Sequence, residues 1–389
     1  MEKNATAIIN SRAIKRLQQG HLWIYASDII DTGGAMAGAT VALMDEKGHY
    51  YGYAFYSNSS QISLRWCAPV GNPPDREFWR QRLLAAGECR RKVVSNTEAY
   101  RLVYGESDLI PSLLIDRYGD HFVLQTLSQG TDALKQVWVD LITELYHPAS
   151  ISERNDSPVR QHENLPLQKG VLSGTLPQVV VVQMNGIRFG IEILGGQKTG
   201  AFLDQRENYL AAASYTRGRV LDAFTFAGGF ALHLASHADE VLAVDISEEA
   251  CALARDNITL NGVANITVLR ANVFDYLREL DRDGERFDTI VLDPPAFAKN
   301  KQSLLGASRG YKEINLRALR LLNAGGYLIT NSCSFHMNEQ LFLQLLAEAM
   351  ADAGRPVRLI EQRTQGRDHP TLLGVPETKY LKCIILQVL

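Results

Sequence analysis

The chain is poor in cysteine. It has five in 389 residues (Cys67, Cys89, Cys251, Cys333 and Cys383), and no two of them form a C-x-x-C pair. That argues against a disulfide framework and against a zinc site. No run approaches the roughly 20 apolar residues of a membrane span. The opening MEKNATAIIN lacks the apolar core of a secretion signal. A cytoplasmic location without a membrane partner is therefore expected. An excess of positive charge is missing too: 40 Lys and Arg face 43 Asp and Glu, for a net charge of −3. Any nucleic-acid partner would have to use a local basic surface. There is no internal repeat, no low-complexity segment and no G-x-G-x-x-G. The length suggests two or three domains.

What is present centres on Arg219 to Asp245, RVLDAFTFAGGFALHLASHADEVLAVD. A short apolar run closes on Asp222. A turn follows, Ala223, Phe224 and Thr225 leading to Gly228 and Gly229. Then come a helical segment, Phe230 to Ala235, and a second apolar run that stops at Asp245. Strand, glycine turn, helix, strand, acid is half of a nucleotide-binding βαβ unit. The glycines let the backbone approach a ligand, and a helix N-terminus offers free N–H groups. An acid ending the second strand suits the two hydroxyls of a ribose. The turn reads D-x-F-x-x-x-G-G-F, which favours S-adenosylmethionine over NAD.

Upstream, residues 1–70 read as a small β-rich domain. Its basic helical turn carries Arg12, Lys15 and Arg16 just before Gly20-His21-Leu22-Trp23. That patch suits RNA, and Trp23 and Tyr25 suit a core equally well. Residues 75–187 read as a central α+β domain: helices over Arg76–Lys92 and Thr131–Tyr146, strands between them, and a hairpin at Met184-Asn185-Gly186. Residues 188–389 read as the α/β domain of the nucleotide-binding unit, and Glu192 to Asn208 within them is EILGGQKTGAFLDQREN. Here Lys198, Thr199, Asp204, Gln205 and Arg206 fit either a ligand-contacting entry segment or an interdomain linker.

Past Asp245 and Ile246 the βα alternation continues. Ser247 is a good N-cap, with Glu248 and Glu249 in the first turn. A third strand, ITVLR, ends near Asn272 and Val273. The fourth ends at Asp293-Pro294-Pro295, the fifth at Ser332-Cys333-Ser334. An arginine-bearing helix is expected over Ile314–Leu322. All these motifs sit at carboxyl ends of strands, where open α/β sheets bind ligands. Asp293, held by a stiff Pro-Pro turn, can bond the exocyclic amine of a base, or it merely ends a strand. Cys333, at a ligand-binding strand end, is a nucleophile candidate; a buried cysteine elsewhere would be inert packing. Arg309, Tyr311 and Lys312 suit a phosphate clamp or a solvated helix face.

Together K-T-G-x-x-L-D-Q-R at Lys198–Arg206, D-A-F-T-F-A-G-G-F, Val244-Asp245, D-P-P-A-F, R-G-Y-K and S-C-S resemble the RlmI-type cytosine-5 methyltransferases of 23S ribosomal RNA. The resemblance extends to H-x-W at His21–Trp23, G-E-S-D at Gly105–Asp108, D-R-Y-G at Asp116–Gly119, and the late D-H-P and Y-L-K segments. It implies an N-terminal PUA-like RNA-binding domain and a C-terminal Rossmann-like class I methyltransferase sheet with helices on both faces. It also implies S-adenosylmethionine, large-subunit ribosomal RNA as partner, and Cys333 as nucleophile. The cofactor residues are then Asp222, Ala223, Phe224, Thr225, Gly228, Gly229, Asp245, Ile246, Asn272, Val273 and Asp293, with Lys198, Thr199, Asp204, Gln205 and Arg206. The RNA contacts are Arg12, Lys15, Arg16, Arg309, Tyr311 and Lys312. No metal is implied, and a homodimer stays open. Two departures stand out. Asn272 replaces an acid common in the family, and the fourth-strand motif lacks the second cysteine frequent in the wider RNA cytosine-5 methyltransferase class, a lack the RlmI-type family shares. Two competing readings are methylation of a guanine or adenine nitrogen, and a non-catalytic RNA-binding assembly factor.

Overall fold

The computed structural model describes residues 5–196, 199–298 and 302–389. By contacts the chain divides into two units. The first comprises Met1–Val182, Ile191–Ala201 and Arg367–Thr378; the second Gln183–Gly190, Phe202–Gly366 and Lys379–Leu389. Among the described residues no helix is long and apolar enough to cross a membrane.

The first unit holds two sheets. Six strands, among them Thr40–Met44, Tyr50–Tyr56 and Leu64–Ala68, form one; five strands between Ala99 and Gly174 form the other. The expected helix over 131–146 is two pieces, Gln129–Ala133 and Lys135–Tyr146. Ser128 caps the first through Thr131. Trp79 and Trp138, both buried, meet edge to face with centroids 5.3 Å apart in this unit's core.

The second unit is a seven-stranded sheet. Its strands are β1 (Arg219–Ala223), β2 (Glu240–Asp245), β3 (Ile266–Arg270), β4 (Phe287–Leu292), β5 (Leu322–Ser332), β6 (Val357–Arg363) and β7 (Lys382–Val388). Spatial order is β3-β2-β1-β4-β5-β7-β6. The first five are parallel; β7 runs antiparallel to β5 and β6. Order reverses at β1, so the crevice between the ends of β1 and β4 is where such a sheet takes a ligand. Among the described residues α1 (Arg206–Ala213) precedes the sheet, and α2 (Gly229–Leu234), α3 (Glu248–Asn261), α4 (Val273–Asp283), α5 (Leu304–Leu321) and α6 (Glu339–Ala353) connect its strands.

Strand periodicity makes two cores. Leu221, Ile290, Leu328 and Ile384 face one side, packing with Tyr311, Ile314 and Phe342. Val220, Val291, Ile329 and Ile385 face the other, with Tyr209 and Phe230. Both faces of the central strands are thus buried, as a parallel sheet under helices requires. Each fully buried Leu, Ile or Phe contributes roughly 1.5–3 kcal/mol. Caps fix the helix ends: Ser247 accepts from the Ala250 amide, Asn338 from the Leu341 amide, and Gly262 ends α3 at φ +64°.

The expected hairpin turn is present, with Asn185 at φ +54° and Gly186 at φ +86°, as a type I′ turn requires. Asn185 Nδ2 donates to the Arg206 carbonyl at 2.8 Å, so nitrogen also faces His233 Nε2, 3.2 Å away. His233 Nδ1 lies 2.7 Å from the Gly229 carbonyl. The ring is therefore neutral, with its hydrogen on Nδ1. Burial pushes its pKa down to about 4. The unfolded imidazole, near 6.5, binds its proton first, so this stability is present above pH 6.5 and is lost as pH falls toward 4. The shift corresponds to about 3 kcal/mol. Urea denaturation of the wild type and of His233→Gln across pH 4–7 checks this. The wild type should show the steeper loss; equal slopes would exclude His233 as the source.

Candidate functional site

The strand register sets the site. Ala223 pairs with Val244 on one side and with Leu292 on the other, and Leu292 pairs with Thr330. The residues just past these positions, Asp245, Asp293 and Cys333, therefore line one edge of the sheet. Asn331 Nδ2 donates to the Leu292 carbonyl at 3.0 Å and ties the ends of β4 and β5.

The β1–α2 turn is bent by three left-handed residues: Phe224 (φ +66°), Phe226 (φ +49°) and Gly228 (φ +79°). For a non-glycine residue that backbone costs on the order of 1–3 kcal/mol, and it persists only when its surroundings hold it. The Thr225 amide donates to the Val244 carbonyl, and the Phe226 amide to Asp245 Oδ2, each at 3.0 Å. Thr225 Oγ1 and the Ala231 amide both donate to Asp222 Oδ2, at 2.6 and 2.9 Å. A Cβ at Gly229 would lie 2.6 Å from the Tyr209 hydroxyl, so α2 packs this closely only with glycine there.

Asp222 is fully buried, and among the described residues its Oδ1 has no hydrogen-bond partner. Burial pushes the carboxyl up to about 6, the Thr225 and Ala231 bonds pull it down, and the Asp245 charge adds to the rise. At neutral pH it is mostly ionised and only half satisfied, which suits a cationic ligand. Asp245 accepts from the Phe226 amide through one oxygen and from the Ser247 amide through the other. Both bonds aim the carboxylate and leave each oxygen a lone pair for a hydroxyl. Asn272 is exposed and caps α4, its Oδ1 accepting from the Phe274 amide at 3.0 Å. That oxygen keeps one lone pair, and the amide nitrogen can donate. Ile246 is 60% exposed; Ala223 and Val273 are buried, so only their backbones can face a ligand.

Asp293 Oδ1 accepts from Gln205 Nε2 at 2.9 Å. Gln205 Oε1 accepts from Asn208 Nδ2 at 2.7 Å, and Asn208 Oδ1 from Arg363 Nε at 3.0 Å. Guanidinium can only donate, so this chain fixes both amide orientations. Asp204 accepts from the Tyr380 hydroxyl at 2.5 Å, and Arg206 is buried at the start of α1.

Cys333 is half-buried, whereas Cys67, Cys251 and Cys383 are buried. Burial pushes all three of those thiols up. Both flanks of Cys333 are pinned. Ser332 Oγ donates to the Tyr311 hydroxyl, which lies 3.0 Å from Ser334 Oγ. Lys382 Nζ donates to the Ser334 carbonyl at 2.7 Å. A lysine opening the apolar run C-I-I-L-Q-V-L was the available signal for Lys382, because strands of this kind rarely bury a cation.

Lys198 falls outside the described residues. Thr199 belongs to the first unit, where its hydroxyl donates to Asp116 Oδ2 at 2.6 Å. Tyr311 is not an RNA contact: it is fully buried, its hydroxyl spent on the S-C-S turn. Lys312 is turned to α6, pairing with Asp352 at 2.9 Å and Glu348 at 3.5 Å. Of that trio only Arg309 is exposed. In the first unit Lys15 is exposed, while Arg12 and Arg16 share the buried Asp28 carboxylate.

Residues 7–68 match a PUA-like domain, and residues 125–375 match an S-adenosylmethionine-dependent methyltransferase. Ribosomal RNA large subunit methyltransferase I of Tolumonas auensis is 41% identical, over 99% of this chain and all of the relative. The protein of that name from Aeromonas hydrophila is also 41% identical, over 96% of each chain. Among solved structures, the methyltransferase SMU.776 complexed with SAH shares the fold at 21% identity, with a TM-score of 0.85 over 99% of this chain and all of that one. The glycine turn, the acid at the end of β2 and the sheet order thus have a common origin: the chain belongs to the S-adenosylmethionine-dependent methyltransferases, within the ribosomal RNA large subunit methyltransferase I family.

Proposed function

We propose that this enzyme methylates C5 of a cytosine in 23S ribosomal RNA, with Cys333 as covalent nucleophile. The observation that carries the reading is the pinned, half-buried Cys333 at the end of β5, beside Asp293 at the end of β4. The names of the relatives support ribosomal RNA as the target.

S-adenosylmethionine, when bound, supplies an electrophilic methyl on a cationic sulfur. The residues of the β1–α2 turn fit it: a strained cradle open to backbone contact, and in Asp222 a buried carboxylate short of one partner. Asp245 would take the ribose hydroxyls, and Asn272 would lie near the adenine. C5 of cytosine is a poor nucleophile unaided. Thiolate addition at C6, with protonation at N3, makes C5 enamine-like. Asp293 holds the base and favours that protonation. Once C5 is methylated, loss of its proton and expulsion of Sγ restore the ring.

The domains then divide the work. Residues 1–70 engage RNA through Arg12, Lys15 and Arg16, residues 75–187 form the central domain, and residues 188–389 form the methyltransferase domain. Mass spectrometry of 23S ribosomal RNA from cells with and without the enzyme tests the reading. One 5-methylcytosine should disappear. Loss of a nitrogen-methylated base, with 5-methylcytosine unchanged, would overturn it.

Asp245→Ala should weaken cofactor binding. Loss of a charged hydrogen-bond partner costs about 1.5–3 kcal/mol, roughly tenfold or more in affinity. Calorimetric titration with S-adenosylmethionine reads this directly, and unchanged affinity in a folded variant would remove Asp245 from the cofactor site.

A further inference from the structure

Lys382 opens β7 directly opposite Ser332 of β5. Its side chain is buried, and Nζ donates to the carbonyls of Ser334 and Tyr380, each at 2.7 Å. An ammonium has three donors, so one remains. Among the described residues no carboxylate lies within ion-pair range of Nζ. The ionisable groups that face it are Cys333, Glu339 and Lys379. Glu339 is already taken by Lys379, at 2.8 Å. A buried ammonium without a counter-ion is costly. Cys333 is the group left that can become its anion.

We propose that Lys382 is the positioning residue that keeps Cys333 ionised, its ammonium pairing with the thiolate. This rests on the reading of Cys333 as nucleophile. The thiol proton leaves to solvent, and the product is a thiolate beside a retained ammonium. No bond to carbon forms in this step. The nearby Tyr311 hydroxyl does not compete as a base. Burial raises its pKa, and Ser332 and Ser334 occupy it. Burial brings the Lys382 ammonium down to about 8, while Cys333 pushes it back up. That is near the ordinary free-thiol value of roughly 8.5.

A purely structural lysine would tie down the S-C-S turn without changing the charge of Cys333. The rate of iodoacetamide alkylation at Cys333, followed peptide by peptide across pH 6–10, separates the two roles. In the wild type the apparent pKa should lie below the free-thiol value. Lys382→Met should raise it by about one unit or more, slowing alkylation at pH 7 roughly tenfold. The rising limb of the kcat profile should move the same way. Lys382→Arg should restore most of the effect, and calorimetric titration with S-adenosylmethionine confirms that each variant is folded. An unchanged alkylation pKa in Lys382→Met overturns the proposal. If that variant does not fold, a wild-type Cys333 titrating at or above the free-thiol value overturns it equally. Failure of the underlying reading looks different: Cys333→Ala would still methylate RNA, whatever Lys382 does to the thiol.

Discussion

Replacing Cys333 by alanine should lower methyl transfer by roughly 10³-fold or more, the scale on which loss of a covalent nucleophile acts. Cofactor affinity should be unchanged, because the β1–α2 turn and Asp245 are held by their own bonds to the Val244 carbonyl and to the Phe226 and Ser247 amides. The direction follows from the substrate. A cytosine C5 does not attack a methyl group until a nucleophile has added at C6, and alanine supplies none. Of the chain's thiols, Cys333 has the best case for that role. Cys67, Cys251 and Cys383 are buried and held as thiols, and Cys89 lies in the helix Arg76–Val93 of the first unit. A trap makes the prediction sharper. RNA with 5-fluorocytosine at the target should form a stable adduct with the wild type, since fluorine cannot leave C5 as a proton does. Digestion should yield a cross-linked peptide containing Cys333, and Cys333→Ala should give none. Turnover near the wild-type rate in Cys333→Ala would make methylation at a base nitrogen the leading reading.

The parts of this site that were legible in the sequence are those encoded locally. Asp222, the paired glycines and Asp245 fall within one βαβ half, so spacing alone places them on neighbouring strand ends. Ser247 and Gly262 mark α3 because caps use side-chain oxygens and left-handed glycines next to the helix itself. What spacing does not carry is long-range packing. Helix α5 begins at Leu304, ten residues before the expected Ile314, although Gly306 and Gly310 argue against helix there. Burial of Ala307 and Tyr311 outweighs that propensity. The same burial removes Tyr311 from any RNA surface. Helix α6 is harder to read from spacing, since its run of Phe342, Leu345, Leu346 and Ala349 draws its meaning from the sheet face it covers. Thr199 is five residues from Asp204, yet it bonds Asp116, 83 residues away. A lysine at the head of an apolar strand marks Lys382 in the sequence, but only the pairing of β7 with β5 places it opposite Ser332.

Asp293 should split catalysis from cofactor binding. Its carboxylate is steered by a neutral donor: Arg363 fixes Asn208, Asn208 fixes Gln205, and Gln205 donates to Oδ1. A guanidinium in the place of Gln205 would satisfy the carboxylate and neutralise it. The Gln205 amide orients it without adding a charge of its own. The rigid Pro294-Pro295 that follows holds it against the end of β4. Asp293→Asn keeps the shape and one acceptor but loses the charge that favours a protonated ring. Positioned proton-transfer and charge-stabilising groups contribute on the order of 10²–10⁴-fold, so kcat should fall by about 10²-fold or more. S-adenosylmethionine affinity, read by calorimetry, should hardly move. Gln205→Leu should lower kcat in the same direction and by less, because it removes one bond that orients the carboxylate and keeps the carboxylate itself. A parallel loss of cofactor affinity in Asp293→Asn would assign the residue to the methyl donor. Full turnover in Asp293→Asn, with Cys333 still forming the fluorocytosine adduct, would leave N3 to be protonated by some other group.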